Sequence, residues 1–290
     1  MTLCATSHQR GTGAPTGAAT VMSRTQGRRR LTAVVKVVAV ANQKGGVAKT
    51  TSVQSLGVAM AEQGQRVLVV DLDPQACLTF SLGFNPDDLS TSLHDVLVRR
   101  AKIADVRCAV PGVDGLSLVP ATIDLAGAEV HLLSRTGREH VLARSLEPVL
   151  ADHDVILIDC PPSLGVLTIN GLTAAEVVVV PLQCEALSHR GVGQLLETIE
   201  DVRQFANEKL RVLGVIATMY DGRTTHSRRI LSEVGERYGL PVFEPPVPKS
   251  VRFAEAPELG RSVLQHAPSS PGAAAYRALA VQVLDAMRSG

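Results

Sequence analysis

Two lysines five residues apart enclose a pair of glycines in Asn42-Gln43-Lys44-Gly45-Gly46-Val47-Ala48-Lys49-Thr50-Thr51. Glycines let backbone N–H groups converge on an anion, a lysine neutralises its charge, and a threonine hydroxyl can ligate Mg²⁺. That combination points to a bound phosphate chain. The strict pattern G-x-x-x-x-G-K-[ST] is not met, because Gln43 and Ala48 occupy both framing glycine positions. Two further segments close aliphatic runs with carboxylates: Val69-Val70-Asp71-Leu72-Asp73-Pro74-Gln75 and Leu157-Ile158-Asp159-Cys160-Pro161-Pro162-Ser163. Alone, a strand-end aspartate is ordinarily a cap or turn residue. Beside a phosphate loop it can hold Mg²⁺ through a water, or orient an attacking one.

These groups can act together only if several strand ends meet. Val34–Val40, Arg66–Asp71, Asp154–Asp159, Glu176–Pro181 and Arg211–Ile216 read as strands, with weaker candidates at Leu116–Val119 and Pro241–Phe243. They are apolar nearly throughout instead of alternating, as a parallel sheet covered on both faces demands. Lys49–Gln63, Ala143–Ala151, Leu187–Ala206 and His226–Tyr238 carry helical patterns. In the third, Val192, Leu195, Leu196, Ile199, Val202 and Phe205 form a stripe expected to pack in the core. Strands alternating with helices predict one doubly wound α/β domain, its mostly parallel sheet flanked by helices on both faces.

Composition narrows the function. The 290 residues include no Trp, three Tyr and five Phe, too few for a base-stacking nucleic-acid module. With 29 basic and 28 acidic side chains, any DNA binding must come from a local patch. The cysteines at 4, 77, 108, 160 and 184 lack metal-ligand spacing and suit reduced thiols. No apolar run reaches membrane-spanning length, so a cytoplasmic protein is expected. Residues 1–33 end in Arg28-Arg29-Arg30 and precede the first acidic residue, Glu62. They read as a disordered basic extension, with Met22 as an alternative start, or as an arm touching DNA or acidic lipid. Residues 34–290 are expected to form the domain.

Lys44-Gly45-Gly46-x-x-Lys49-Thr50 resembles the deviant Walker A motif, K-G-G-x-x-K-[ST], of the ParA/MinD group of ATPases. Asp71-Leu72-Asp73-Pro74-Gln75 is similar to the D-x-D-P-Q box of ParA/Soj chromosome (plasmid) partitioning proteins, and Leu157-Ile158-Asp159 to their Walker B strand. Pro248-Lys249-Ser250-Val251-Arg252-Phe253-Ala254-Glu255-Ala256-Pro257 resembles their P-[RK]-x-V-R-x-x-E-A-P segment. The resemblance implies a P-loop NTPase fold and slow hydrolysis of ATP with Mg²⁺. It places Lys44, Gly45, Gly46, Val47, Ala48, Lys49, Thr50, Thr51 and Pro74 at ATP. Mg²⁺ falls to Thr50 and, through a water, Asp159. Asp73 positions the attacking water, while Asp71 supports the metal side or the adjoining switch segment. Lys44, catalytic with Lys49 and Asp73, reaches across an ATP-sandwich homodimer to phosphates bound by the other subunit. Ala48 stands where many relatives carry glycine.

The same resemblance assigns non-specific DNA binding to Arg223 and Arg252, with Arg228 and Arg229 as weaker candidates. It implies a nucleoid-associated protein stimulated by a ParB-like centromere-binding partner. Residues 211–261, with eight basic and six acidic side chains, are not markedly basic as a whole. A MinD-like membrane-targeted regulator is the alternative, but Ala273–Arg288 has only Arg277 and Arg288 as cations and reads as a packing helix. A non-hydrolysing nucleotide-dependent scaffold is another. An electron carrier like nitrogenase reductase would need cluster cysteines that Cys108, Cys160 and Cys184 do not match.

Overall fold

The structure, a computed structural model, describes residues 36–184, 188–223 and 225–289. The basic segment with Arg28–Arg30, together with Cys4, Met22 and Leu187, lies outside the described residues. Eight strands form one sheet: β1 (Lys36–Val40), β2 (Val67–Asp71), β3 (Cys108–Ala109), β4 (Leu116–Val119), β5 (Val155–Asp159), β6 (Val177–Gln183), β7 (Arg211–Thr218) and β8 (Val242–Phe243). Their order is β3-β4-β2-β5-β1-β6-β7-β8, and every pairing is parallel except β3 with β4. Successive residues point to opposite faces, so Val37 and Ala39 join one core while Val38 and Val40 join the other. Both faces are dry, which explains why the strands are apolar throughout.

The helices, in chain order, are α1 (Lys49–Glu62), α2 (Cys77–Ser81), α3 (Leu93–Arg99), α4 (Ile103–Val106), α5 (Leu125–Leu133) and α6 (Val141–Leu146). They continue with α7 (Val166–Ala174), α8 (Ser188–Phe205), α9 (Thr225–Tyr238), α10 (Arg252–Glu258), α11 (Val263–His266) and α12 (Pro271–Arg288). Helices α3 to α9 bury residues in one core; α1, α2, α11 and α12 do so in the other. Helix α1 is sandwiched between the sheet and α12, and its Ser52 hydroxyl bonds to the buried Tyr276 hydroxyl at 3.0 Å. The helix lies so close to the sheet that a Cβ on Gly57 would sit 3.0 Å from Val69 Cγ1.

Two expectations need correction. Phe205 is 76% exposed, not part of the core stripe. Repeated three-residue steps each fall short of a full turn, so by Phe205 the stripe has drifted about 120° from its centre. The helix expected over 143–151 is α6 followed by a 3₁₀ segment, Glu147–Asp152, where Pro148 has no amide hydrogen to donate. The antiparallel edge strand β3 has no counterpart in the sequence reading, since two residues carry no periodicity. Among the described residues no helix is long and apolar enough to cross a membrane.

Candidate functional site

Strands β1, β2 and β5 end side by side, with Asp159 in register with both Val40 and Asp71. The loop leaving β1 turns over these ends and is fastened by side chains from elsewhere. Buried Asn42 donates through Nδ2 to the Pro181 carbonyl at 2.8 Å and accepts the Lys44 N–H at 3.0 Å. Thr218 Oγ1 donates to the Val47 carbonyl at 3.0 Å. Helix α8 approaches through Gly191, where a Cβ would meet Asn42 Oδ1 at 3.1 Å. Gly46 (φ +74°) and Ala48 (φ +65°) are both left-handed. For alanine that conformation costs about 1–2 kcal/mol. Ala76 (φ +52°) and Met219 (φ +49°) are left-handed too, so that three of the four such non-glycine residues among those described line one cavity of 990 Å³, the fourth being Arg100 after α3. Backbone strain is concentrated where a ligand would sit.

Lys49, only 7% exposed, donates from Nζ to the Lys44 carbonyl at 3.1 Å. Burial lowers the pKa of its ammonium, with Asp159 opposing that shift. Asp159 is itself fully buried, and neither carboxylate oxygen has a hydrogen-bond partner. Burial holds its pKa well above the usual range; Asp71 adds to the shift, while the Thr50 hydroxyl and Lys49 ammonium pull the other way. An orphaned carboxylate beside a hydroxyl and a phosphate loop fits Mg²⁺, which takes one or two carboxylates together with phosphate and water oxygens. Among the described residues no three His, Cys, Asp or Glu side chains form an all-protein metal cage.

Asp71 points elsewhere. Its carboxylate accepts from Thr79 N at 2.8 Å, Thr79 Oγ1 at 2.7 Å and Asp73 N at 3.2 Å. Burial raises its pKa to about 6 against those bonds. These bonds tie Asp71 to the segment that follows β2, while its register with Asp159 keeps it beside that carboxylate. Asp73 is half-buried, and its Oδ1 accepts the Gln75 N–H at 3.0 Å.

Of the residues expected at ATP, Gly45, Gly46, Ala48, Lys49, Thr50, Thr51 and Pro74 line the cavity, joined by Asp73. Val47 turns its side chain into the core, and Lys44 is half-buried, its Cβ 3.7 Å from a Cβ built on Gly191. Sequence reasoning missed Gln54, Phe80, Thr218, Met219 and Tyr276 on the same walls. No local pattern marks them, since they come from α1, α2, α12 and the end of β7. Arg223, on the loop after β7, and Arg252, the first residue of α10, lie off the cavity near segments joined by a Tyr220–Pro248 bridge. Each is ion-paired nearby, Arg223 with Asp221 at 3.0 Å and Arg252 with Glu255 at 2.8 Å. Arg229 pairs with Glu233 at 2.6 Å, and Arg228 is exposed.

A family model described as an AAA domain matches residues 35–212. The chain is 44% identical to the sporulation initiation inhibitor protein Soj of Bacillus subtilis, covering 86% of this chain and 98% of that protein. It is 42% identical to the chromosome partitioning protein ParA of Caulobacter vibrioides, over 88% of this chain and 96% of that one. Among solved structures, one titled cobyrinic acid a,c-diamide synthase from Mycobacterium smegmatis, with a bound ATP analogue and magnesium, is 54% identical. Its TM-score is 0.79, over 89% of this chain and 97% of that one.

Proposed function

Because this chain belongs to the Soj/ParA family of chromosome-partitioning ATPases, we propose that it segregates chromosome or plasmid DNA as an ATP-bridged homodimer. The dimer binds DNA without sequence preference through Arg223 and Arg252, and a ParB-like centromere-binding protein stimulates its slow ATPase. This places it in the cytoplasm, on the nucleoid. The observation that carries the reading is the convergence of Lys49, Thr50 and the orphaned Asp159 carboxylate beneath a loop fastened by Asn42 and Thr218.

Desolvated Lys49 exchanges the neutral Lys44 carbonyl for anionic phosphate oxygens, a stronger charge-assisted bond. Loop amides at Gly45 and Gly46 cradle the same oxygens. Thr50 and, through a water, Asp159 would hold Mg²⁺, which would supply positive charge beside the transferred phosphoryl. Asp73, on the cavity wall, orients the attacking water, and Lys44 delivers a second cation to the other subunit's phosphates. Thr218, Met219 and Val247–Ser250 line the same cavity. A MinD-like membrane anchor gains no support from α12, whose Tyr276, Leu279, Val283 and Met287 are buried in the core.

The name of the M. smegmatis structure favours one other reading, an amide synthase that uses ATP to activate a carboxylate for attack by ammonia. Two measurements decide. The first is anisotropy with two unrelated duplexes, in ATP and in ADP. The second is phosphate release with DNA, or with cobyrinic acid plus ammonia. Equal, ATP-dependent binding to both duplexes is expected. Binding to one sequence only, or indifference to nucleotide, would reject the DNA role, and turnover that requires the corrinoid would establish the synthase.

A further inference from the structure

Thr79 belongs to no part of the nucleotide chemistry described above, yet it is fully buried in the middle of α2, the short helix that follows the loop carrying Asp73. Its amide and hydroxyl both donate to Asp71 Oδ2, at 2.8 and 2.7 Å. A hydroxyl has one proton; with that proton given to Asp71, a lone pair remains, and it accepts the Ala121 N–H at 2.9 Å. One side chain thus joins the end of β2 to the segment that follows β4. Inside the closed loop, Asp71 Oδ1 takes the Asp73 N–H, Asp73 Oδ1 takes the Gln75 N–H, and the Asp73 carbonyl takes the Ala76 N–H at 2.9 Å. Asp73 Oδ2 has no partner among the described residues. Ala76 is left-handed, a shape alanine does not keep unless its surroundings impose it. The far end of α2 is also held, where Gln54 Nε2 donates to the Ser81 carbonyl.

We propose that Thr79 is a positioning residue for hydrolysis: its hydroxyl, shared between Asp71 and Ala121, holds the switch loop in the shape that aims Asp73 at the attacking water. This rests on the water-orienting role of Asp73, and the test separates the two. In the full chain, Thr79→Val keeps shape but removes the hydroxyl, leaving the Ala121 N–H and one Asp71 lone pair unmatched. Thr79→Ser keeps the hydroxyl, and Asp73→Ala reports on the water itself. Calorimetry with Mg-ATP counts competent sites, and phosphate release gives kcat per competent site.

Thr79→Val should bind ATP with wild-type affinity and stoichiometry yet turn over on the order of tenfold or more slowly, since small misplacements near a reacting atom are costly. Thr79→Ser should return kcat close to wild type, and Asp73→Ala should be at least as slow as Thr79→Val. Wild-type kcat in Thr79→Val beside a slow Asp73→Ala overturns the role of Thr79 alone. Joint loss of binding and turnover, or failure of serine to rescue, makes Thr79 a folding residue and overturns it too. Full turnover in Asp73→Ala removes the premise and the inference together.

Discussion

Beside the ends of β1 and β5 two charged groups are buried with little to match them: Lys49 donates to a neutral carbonyl, and Asp159 has only the Thr50 hydroxyl and the Lys49 ammonium to offset its burial. In the loop after β7 and at the start of α10, Arg223 and Arg252 are exposed and paired with acids two or three residues away. A buried, uncompensated charge burdens the fold until a ligand completes it, so such a site is specific and costly. An exposed local pair contributes little to the fold and exchanges its carboxylate for another anion readily. The first arrangement suits a defined nucleotide; the second suits phosphates met in any order along a duplex.

The sharpest break in that contrast comes from Lys49→Ala. The phosphates would lose a buried cation and its charge-assisted contact, and Asp159 would lose a charge that offsets its burial. ATP affinity by calorimetry should fall at least a hundredfold, and wild-type affinity would refute the phosphate-loop assignment. Next, Gly260→Ala tests whether the two regions are mechanically separate. Gly83 follows α2 and Gly260 follows α10, and a Cβ on Gly260 (φ +62°) would lie 2.6 Å from Gly83 Cα. The overlap should cost about 1–3 kcal/mol, read as a lower melting temperature. Unchanged stability would mean that the two turns part freely.

A smaller effect is expected from Arg223→Ala and Arg252→Ala. Each should weaken binding to unrelated duplexes about equally, with nucleotide affinity kept. The plot of log affinity against log salt should flatten by roughly one to two units for a dimer. A sequence-selective loss would contradict phosphate recognition. The smallest change comes from Ala48→Gly, which relieves a left-handed alanine but adds chain entropy, for a net gain of at most about 1 kcal/mol. A loss of stability there would show that the methyl group packs usefully.

Much of the interior was legible because it is local. Strands buried on both faces are written as aliphatic runs, and a phosphate loop is written as contiguous glycines, lysine and threonine. Phe205 misled for the same reason: apolar character and spacing mark a stripe, but helical drift decides where it stops. The left-handed Ala48, Ala76 and Met219 left no trace, since none is a glycine.

By itself, the sequence determined the doubly wound class, the order of the motifs and the residue types offered to a phosphate chain, all of which depend on neighbours within a turn or a strand. Only the tertiary structure decided which groups hold those residues in place. Asn42 reaches Pro181 across 139 positions, Thr218 reaches Val47 across 171, and Tyr276 reaches Ser52 across 224. It also decided that Asp71 faces Thr79 while Asp159 stays unmatched. These outcomes follow from β5 and β6 flanking β1 in the sheet, an arrangement set by packing the whole chain and written at no single position.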